Sequence, residues 1–296
     1  MLSIRTTLFL LLALSCISER SWSYEKSTRT LIYPKSSDDW RSEYPLVLLT
    51  RALQLSGGSY QLVPGLEDVP KARNFLNLSN SHGVDVLWSM TSHERENEHL
   101  PIRIPLNRGL MGYRVPLVRT QNRNILAEVK SLAQLQQFTA GQMYVWSDTK
   151  VLTSQGIVVV PGSSYTALFR MLVAGRFDYF PRSVTEVGQE LELNADMGIS
   201  LDSHILIRYP AAMYFFVNKK DIELAADIEK GLELMLASGE FLQLFNQYFG
   251  ALIEELALES RVPIDLENPF LPAQTPLCRR ELWWANSCPN EKQNVQ

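Results

Sequence analysis

The first hundred residues alternate between short apolar runs and segments with helical spacing. Three stretches have the apolar or alternating pattern of strands: residues 30–33, 60–63 and 84–88. Between them, residues 45–55 carry leucine and alanine at helical spacing and end before Gly57 and Gly58, and residues 69–78 are helical too. The order strand, helix, strand, helix, strand predicts a parallel sheet covered by helices.

The middle of the chain continues this alternation. Further strands are predicted at residues 113–119, 142–146, 156–160, 177–180 and 212–217. Further helices are predicted at residues 126–135, 166–174, 222–237 and 240–249. The remainder, residues 251–296, is rich in proline and irregular, and we interpret it as a strapping tail whose aromatic residues pack on the body.

Composition and charge narrow the class of protein. The chain has 296 residues, of which 46% are hydrophobic and 20% charged, so it can bury a large core split over two lobes. A net charge of −4 and the lack of Lys or Arg runs argue against binding to nucleic acid or to anionic membranes.

The N-terminus has the pattern of an export signal. Arg5 precedes an apolar run at residues 8–17, which is too short to span a bilayer comfortably. The small-x-small sequence at residues 21–23 fits cleavage before Tyr24, so residues 1–23 are predicted to be a signal peptide leading to the periplasm. An uncleaved anchor and lipidation at Cys16 are the alternatives.

The cysteine count agrees with export. Cys16 lies in the signal region, which leaves Cys278 and Cys288 as an even pair in an exported chain. We expect a disulfide that closes a small loop and contributes about 2–3 kcal/mol. The alternative is two free thiols.

Three stretches carry a resemblance to a known family: VDVLWSMTSHERENEHLPIRIPL, LFRMLVAGRFDYFP and MYFFVNKKDIELAADIEKGLELMLASGEFLQLFNQYFG. In this order, after a signal peptide, they resemble the extracellular solute-binding proteins of family 3, which are receptors of polar amino-acid uptake systems. The likeness covers residues 30–250.

The resemblance implies an α/β fold of the periplasmic-binding-protein-like type II, with two lobes joined by two crossover strands. Lobe one would comprise residues 24–111 plus 212–250, and lobe two residues 114–207. It also implies a monomer that closes on a small polar ligand between the lobes and delivers it to an inner-membrane permease of an ABC transporter. No cofactor is expected.

The resemblance places one ligand subsite in lobe one. Arg95 matches the family's arginine that grips the ligand carboxylate, since a planar guanidinium fits a carboxylate bidentately. Ser89 and Thr91 lie in the preceding turn. Thr91 is only four residues before Arg95, so the loop is one residue shorter than in the family. The alternative is that Arg95 pairs with a neighbouring glutamate.

In lobe two the matching turn contains Trp146, Ser147 and Asp148, which could contact the ligand. Ser147 or Asp148 could equally be a plain helix N-cap. Trp146 is one of several aromatic residues that could wall the cleft.

A departure from the family lies at the end of the 177–180 strand. The family's ammonium-binding aspartate would fall five residues after Asp178, where this chain has Ser183 next to Arg182. A cation there favours an anionic ligand over a free amino acid. The alternative is that Arg182 pairs with Glu186 or Glu190.

The sequence gives little support to an enzyme. His93 and His99 are six residues apart, whereas a helical zinc site needs a spacing of four. A nucleophile elbow and a phosphate-binding glycine loop are both absent from the sequence. Two alternatives to transport remain: a sensor or scaffold module of the same fold, and a cleft enzyme of dehydratase type using Asp148 or Glu186.

Overall fold

The computed structural model describes residues 27–35, 40–80, 83–285 and 287–288, so the predicted signal peptide and Cys16 lie outside it. The described strands, in chain order, are β1 (Arg29–Lys35), β2 (Tyr60–Glu67), β3 (Val86–Met90), β4 (Leu100–Ile102), β5 (Tyr113–Arg119), β6 (Ala140–Met143), β7 (Val159–Gly162), β8 (Phe180–Ser183), β9 (Ile199–Leu201), β10 (Ile205–Arg208), β11 (Met213–Val217) and β12 (Val262–Asp265). The described α-helices are α1 (Glu43–Ser56), α2 (Lys71–Ser79), α3 (His93–Glu98), α4 (Leu132–Leu135), α5 (Ser147–Ser154), α6 (Tyr165–Val173), α7 (Val187–Leu193), α8 (Ile222–Ser238) and α9 (Glu240–Glu255).

Lobe one contains β1–β4, α1–α3, β11 and α8. Strands β1 and β2 pair in parallel, whereas β3, β11 and β4 form an antiparallel sheet in that order. The backbone N–H of Asp85 donates to the carbonyl of Ile32 at 2.8 Å and links β3 to β1. The predicted order of elements is present, and the antiparallel pairing arises because β11 returns to this lobe from the other.

Close packing of α1 on α8 supports the lobe-one core. The apolar face of α1 includes Leu49, Ala52 and Leu53, and the helix ends at Gly57, which has φ 84°. A Cβ at Gly231 of α8 would lie 1.9 Å from the carbonyl oxygen of Ala52. Glycine is therefore required there for the two helices to approach.

Lobe two contains β5–β10, α4–α7 and the late strand β12. Its main sheet has the order β12-β10-β5-β8, with β9 also paired to β5, and β6 pairs with β7 in parallel. Leu117 and Val118 of β5 belong to different apolar clusters. Successive strand residues point to opposite faces, so this central strand is buried on both.

Two chain segments cross between the lobes, and they lie against each other. The first leads into β5, and the second joins β10 to β11. The backbone N–H of Tyr209 donates to the carbonyl of Gly112 at 3.1 Å, and a Cβ at Gly112 would lie 1.9 Å from the oxygen of Tyr209. This close approach requires glycine on the first crossover.

The C-terminal segment packs on both lobes. Strand β12 pairs in parallel with β10 of lobe two, and Trp283 is buried in the lobe-one core. Trp284 makes an edge contact with Tyr113 at a centroid distance of 5.2 Å. The predicted packing of these aromatic residues on the body is confirmed, and Cys278 and Cys288 form the predicted disulfide. The residue bounds of the lobes and tail stay predictions.

Several predicted elements lie at other positions in lobe two. Strand β6 ends at Met143 instead of Trp146, because the Trp146 N–H turns back to the Met143 carbonyl at 3.0 Å. Strand β7 begins at Val159 instead of Gly156, which has φ 73° in a turn. Of the predicted helix 126–135, only residues 132–135 are α-helical, since turn bonds such as Val129 N–H to Leu126 O precede them.

The strand predicted at residues 177–180 is observed at Phe180–Ser183. Asp178 instead lies in a turn, where its carboxylate accepts hydrogen bonds from the backbone and hydroxyl of Thr139, both at 2.8 Å. The polar residues Arg182 and Ser183 are thus within a buried strand and not beyond its end.

Candidate functional site

The turn after β3 positions Arg95 in the first turn of α3. The hydroxyl of Ser92 caps this helix by accepting from the Arg95 N–H at 3.3 Å. The hydroxyl of Thr91 donates to Glu96 at 2.6 Å, and Arg103 binds the other oxygen of Glu96 at 2.6 Å. The predicted contact residue Thr91 therefore uses its hydroxyl to hold α3 in place.

The Arg95 guanidinium is held by neutral groups. It donates to the carbonyl of Met90 and, at 3.3 Å, to the hydroxyl of Ser147 in lobe two, and it lies 5.2 Å from the ring centroid of Phe75. Burial lowers the pKa of Arg95 below its ordinary value. Among the described residues, none of its neighbouring carboxylates lies within salt-bridge distance.

The alternative in which Arg95 pairs with a neighbouring glutamate is thus not what the structure shows. Glu96 pairs with Arg103 instead, at 2.6 Å. The predicted residue Ser89 is buried in β3, opposite Tyr214 of β11. Its contact with a ligand stays a prediction.

In lobe two, Asp148 belongs to a buried ion pair. It accepts from Arg114 at 2.5 Å and from the hydroxyl of Tyr209. Burial acts to lower the pKa of Arg114, but Asp148, Tyr209 and Glu186 together outweigh burial, so the pKa lies above its ordinary value. The N-cap of α5 is Trp146, so neither Ser147 nor Asp148 has the capping role that the sequence left open.

Arg182 is buried against two aromatic rings. Its guanidinium carbon lies 4.7 Å from the ring centroids of both Trp146 and Phe180. It donates to Glu190 at 2.8 Å and to Glu186 at 2.9 Å. This is the pairing that the sequence left as the alternative to a role in the cleft. Since the charge is neutralised inside lobe two, Arg182 alone cannot select an anion.

Ser183 is also enclosed. Its hydroxyl lies 2.9 Å from that of Thr185 and 3.5 Å from the carbonyl of Leu110, near the first crossover. The ligand contacts predicted for Arg182 and Ser183 therefore stay predictions, and both side chains have protein partners.

The two lobes meet at these residues. Besides the contact of Arg95 with Ser147, Arg41 of lobe one lies 3.9 Å from Glu186 of lobe two. The Arg41 guanidinium also lies 5.6 Å from the ring centroid of Tyr165. Of the predicted contact residues, Arg95 and Ser147 thus contact each other across this boundary, and Arg182 is bonded to Glu186 beside it.

Several residues of this boundary were not predicted from the sequence, namely Arg41, Phe75, Arg114, Tyr165 and Tyr209. Arg114 had a signal, because it is a lone charge near the start of an apolar strand and a buried charge needs a partner. Its partners are 34 and 95 positions away along the chain. Only the fold brings them together.

The histidines of the HERENEH stretch have separate environments. His93 is exposed, whereas His99 is buried and contacts Ser79 at 2.8 Å through Nε2. In the described part of the chain, no group of three or more His, Cys, Asp or Glu side chains is placed to hold a metal ion. No helix in this part of the chain has the length and apolarity needed to cross a membrane.

Comparison with known proteins supports the fold. No family model and no curated protein match the sequence. An ancestral arginine-binding protein bound to arginine is similar in structure, with a TM-score of 0.54, 18% identity, and coverage of 74% of this chain and 98% of its own. The arginine-, lysine-, histidine-binding protein ArtJ from Geobacillus stearothermophilus has a TM-score of 0.53 and 15% identity, covering 77% and 100%.

A histidine kinase sensor domain with similarity to periplasmic binding proteins matches equally well, with a TM-score of 0.56, 16% identity, and coverage of 75% and 97%. At such low identity the likeness establishes the fold alone. The chain therefore has the two-lobe α/β fold of periplasmic binding proteins. The three similar structures are binding proteins or a sensor domain, and none is described as an enzyme.

Proposed function

We propose that this chain is an exported binding protein that captures a small polar ligand with a carboxylate between its lobes. The observation that carries the proposal is Arg95. It is a half-buried cation on lobe one, it reaches Ser147 of lobe two, and among the described residues it has no carboxylate in salt-bridge contact. A guanidinium in this position can bind a carboxylate with two hydrogen bonds.

Ser147 and Trp146 are the lobe-two groups best placed to complete the contact. Ser147 already lies 3.3 Å from the Arg95 guanidinium, and Trp146 is half-buried beside it. Ligand that bridges these residues would favour closure of the lobes by a rotation at the two crossovers. Asp148 instead serves to hold Arg114 and Tyr209 in place.

The same proposal places the mature chain, as a monomer, in the periplasm, where it delivers its ligand to an inner-membrane permease of an ABC uptake system. Support comes from the fold, from the predicted signal peptide, and from a similar structure described as the substrate-binding protein of an amino-acid ABC transporter. That protein has 13% identity to this chain, so transport rests on analogy.

A sensor module is the second candidate, favoured by the similarity to a histidine kinase sensor domain. Deletion of the gene distinguishes the two functions. If the protein serves transport, deletion should lower the uptake of labelled ligand. If it is a sensor, deletion should leave uptake intact and alter the transcriptional response to the ligand. Conversion of the bound ligand to a product would instead favour the cleft enzyme.

Arg95→Gln tests the carboxylate site. The ligand is first found by thermal shift of the chain from Tyr24 onward, with organic acids, amino acids and short peptides as probes. Loss of a buried charged hydrogen-bond partner should then weaken binding by at least about 30-fold, or about 2 kcal/mol, in isothermal titration calorimetry. Arg123→Gln, an exposed position on lobe two, is the matched control. Unchanged affinity in Arg95→Gln would remove the carboxylate role.

A further inference from the structure

His99 ends the short helix α3, which carries Arg95. It follows Arg95 by four residues, the spacing at which a helical N–H reaches a carbonyl, and its backbone N–H donates to the Arg95 carbonyl at 2.9 Å. Nδ1 of its buried ring lies 3.2 Å from the same oxygen. A carbonyl oxygen can only accept, so this second bond requires a proton on Nδ1. One residue thereby holds the backbone of Arg95 twice.

The other ring nitrogen of His99 connects α3 to α2. Nε2 lies 2.8 Å from the hydroxyl of Ser79, the last residue of α2, and 3.1 Å from the carbonyl of Phe75 on the same helix. With the proton of the neutral ring on Nδ1, Nε2 accepts from the hydroxyl of Ser79. A single buried side chain thus joins the end of α2 to the helix of Arg95.

The ring of His99 also packs on Phe75, which is the ring that contacts the Arg95 guanidinium. The centroids of His99 and Phe75 are 4.9 Å apart, and the guanidinium carbon of Arg95 lies 5.2 Å from the Phe75 centroid. Phe75 in turn makes an edge contact with Phe216 of the lobe-one core, at 5.8 Å. His99 therefore contacts both the backbone of Arg95 and the ring beside its guanidinium.

We propose that His99 is a positioning residue for the carboxylate site, acting through the hydrogen bond from Nδ1 to the Arg95 carbonyl. This inference rests on the proposed function, in which Arg95 binds the carboxylate of the ligand. Since α3 has only six residues, few internal hydrogen bonds hold it, and the bonds at its ends set its direction. A guanidinium that binds a carboxylate with two hydrogen bonds tolerates little misplacement, so the direction of α3 sets the affinity.

Two amide substitutions separate the two nitrogens of the ring. His99→Asn keeps a donor at the position of Nδ1, whereas His99→Gln places its amide at the position of Nε2. Both lose the ring and its packing on Phe75, so each is the matched control for the other. Tyr44→Phe removes a buried hydrogen bond of 2.7 Å to the carbonyl of Leu106, elsewhere in lobe one, and is the control for a loss of stability alone.

Calorimetry with lactate, succinate and glutamate as probes should compare these variants with the wild-type chain. For each acid that binds the wild type, we expect His99→Gln to weaken binding about tenfold, and His99→Asn and Tyr44→Phe to weaken it by less than about threefold. All three variants should lower the melting temperature. Equal affinities in His99→Asn and His99→Gln would overturn the proposal, because the ring or the overall stability would then matter in place of Nδ1.

A measurement without ligand separates the role of His99 from the proposed function. The Nε–H proton of Arg95, identified in NMR spectra by its absence from Arg95→Gln, should be shifted by the nearby ring of Phe75. We expect this shift to persist in His99→Asn and to move toward the value of an exposed arginine in His99→Gln. An unchanged shift in His99→Gln would overturn the positioning role, whichever acids bind.

The two proposals can therefore fail separately. Acids that bind the wild-type chain and Arg95→Gln equally would remove the carboxylate role of Arg95, and the NMR shift would still decide whether His99 positions that side chain. If none of the three acids binds the wild-type chain, the same NMR comparison decides the role of His99.

Discussion

At the scale of single residues, the buried pair of Arg182 and Glu190 should matter most for stability. Their side chains are 1% and 0% exposed, so Glu190→Gln leaves a buried cation with less compensation. The expected loss is about 3–5 kcal/mol in urea unfolding. Asp265→Asn breaks the exposed pair with Arg208, whose side chains are 34% and 51% exposed, and should cost less than about 1 kcal/mol. Equal losses in the two variants would contradict this ranking.

The same pair predicts a pH dependence. Burial acts to raise the pKa of Glu190, but Arg182, Tyr165 and Arg41 together outweigh it, so the folded pKa lies below the unfolded value of about 4.3. A depressed folded pKa contributes stability that is complete above the unfolded pKa and is lost as pH falls through the folded one. The stability difference between wild type and Glu190→Gln should therefore be constant above about pH 5 and shrink below about pH 4. A difference that persists unchanged at pH 3 would contradict the assignment.

The sequence predicted some residues of the site and missed others, for a physical reason. Arg95 was identified because it follows a strand and a turn in a stretch that resembles a known family. Only the structure shows that Arg95 pairs with no carboxylate among the described residues, since three glutamates lie within three positions of it in the sequence. The partners of Arg114 lie on other elements, and local pattern carries no information about them.

At the scale of elements, the short helix α3 should depend on its cap. It has six residues, and Arg95 lies in its first turn. The backbone N–H of Arg95 donates to the hydroxyl of Ser92. Ser92→Ala should cost about 1 kcal/mol of stability and also weaken binding of the carboxylate ligand, because Arg95 loses its support. Ser131→Ala removes an equivalent 3.3 Å cap from α4, away from Arg95, and should lower stability alone. The prediction is wrong if both variants bind ligand like the wild type.

The end of strand β8 could not be predicted from the hydrophobic pattern of the sequence. Its four residues FPRS are all buried, including Arg182 and Ser183. Periodicity treats arginine and serine as signs of a strand end, because an unpaired charge is costly to bury. Glu190 and Glu186 compensate that cost from the following helix region, so the strand continues three residues further than its apolar pattern.

At the scale of the whole molecule, the C-terminal segment is bonded to both crossovers. Arg108 and Trp283–Trp284 exchange two hydrogen bonds of 2.8 Å at the first crossover. At the second, Leu266 N–H donates to Arg208 O at 2.7 Å, and the Asn268 side chain donates to Pro210 O at 2.8 Å. The similar structures cover about three quarters of this chain and nearly all of their own. This chain therefore has residues beyond the shared fold. Its C-terminal segment contacts both crossovers, and we expect these contacts to restrain rotation of the lobes.

Removing the ring of Trp284 should consequently widen the range of angles between the lobes. The ring packs on Tyr113, the first residue of β5, at a centroid distance of 5.2 Å.

Spin labels at the exposed positions Leu76 and Leu193, one on each lobe, would report the inter-lobe distance by pulsed electron resonance. We expect a narrow distribution for the otherwise wild-type chain and a broader, longer one for Trp284→Ala, because the crossover can then change its backbone angles. Phe270→Ala, at a partly exposed position of the same segment, should leave the distribution narrow. If Trp284→Ala matches Phe270→Ala, the segment packs on the crossovers without restraining them, and the range of lobe motion is set by the contacts at Arg95 and Glu186.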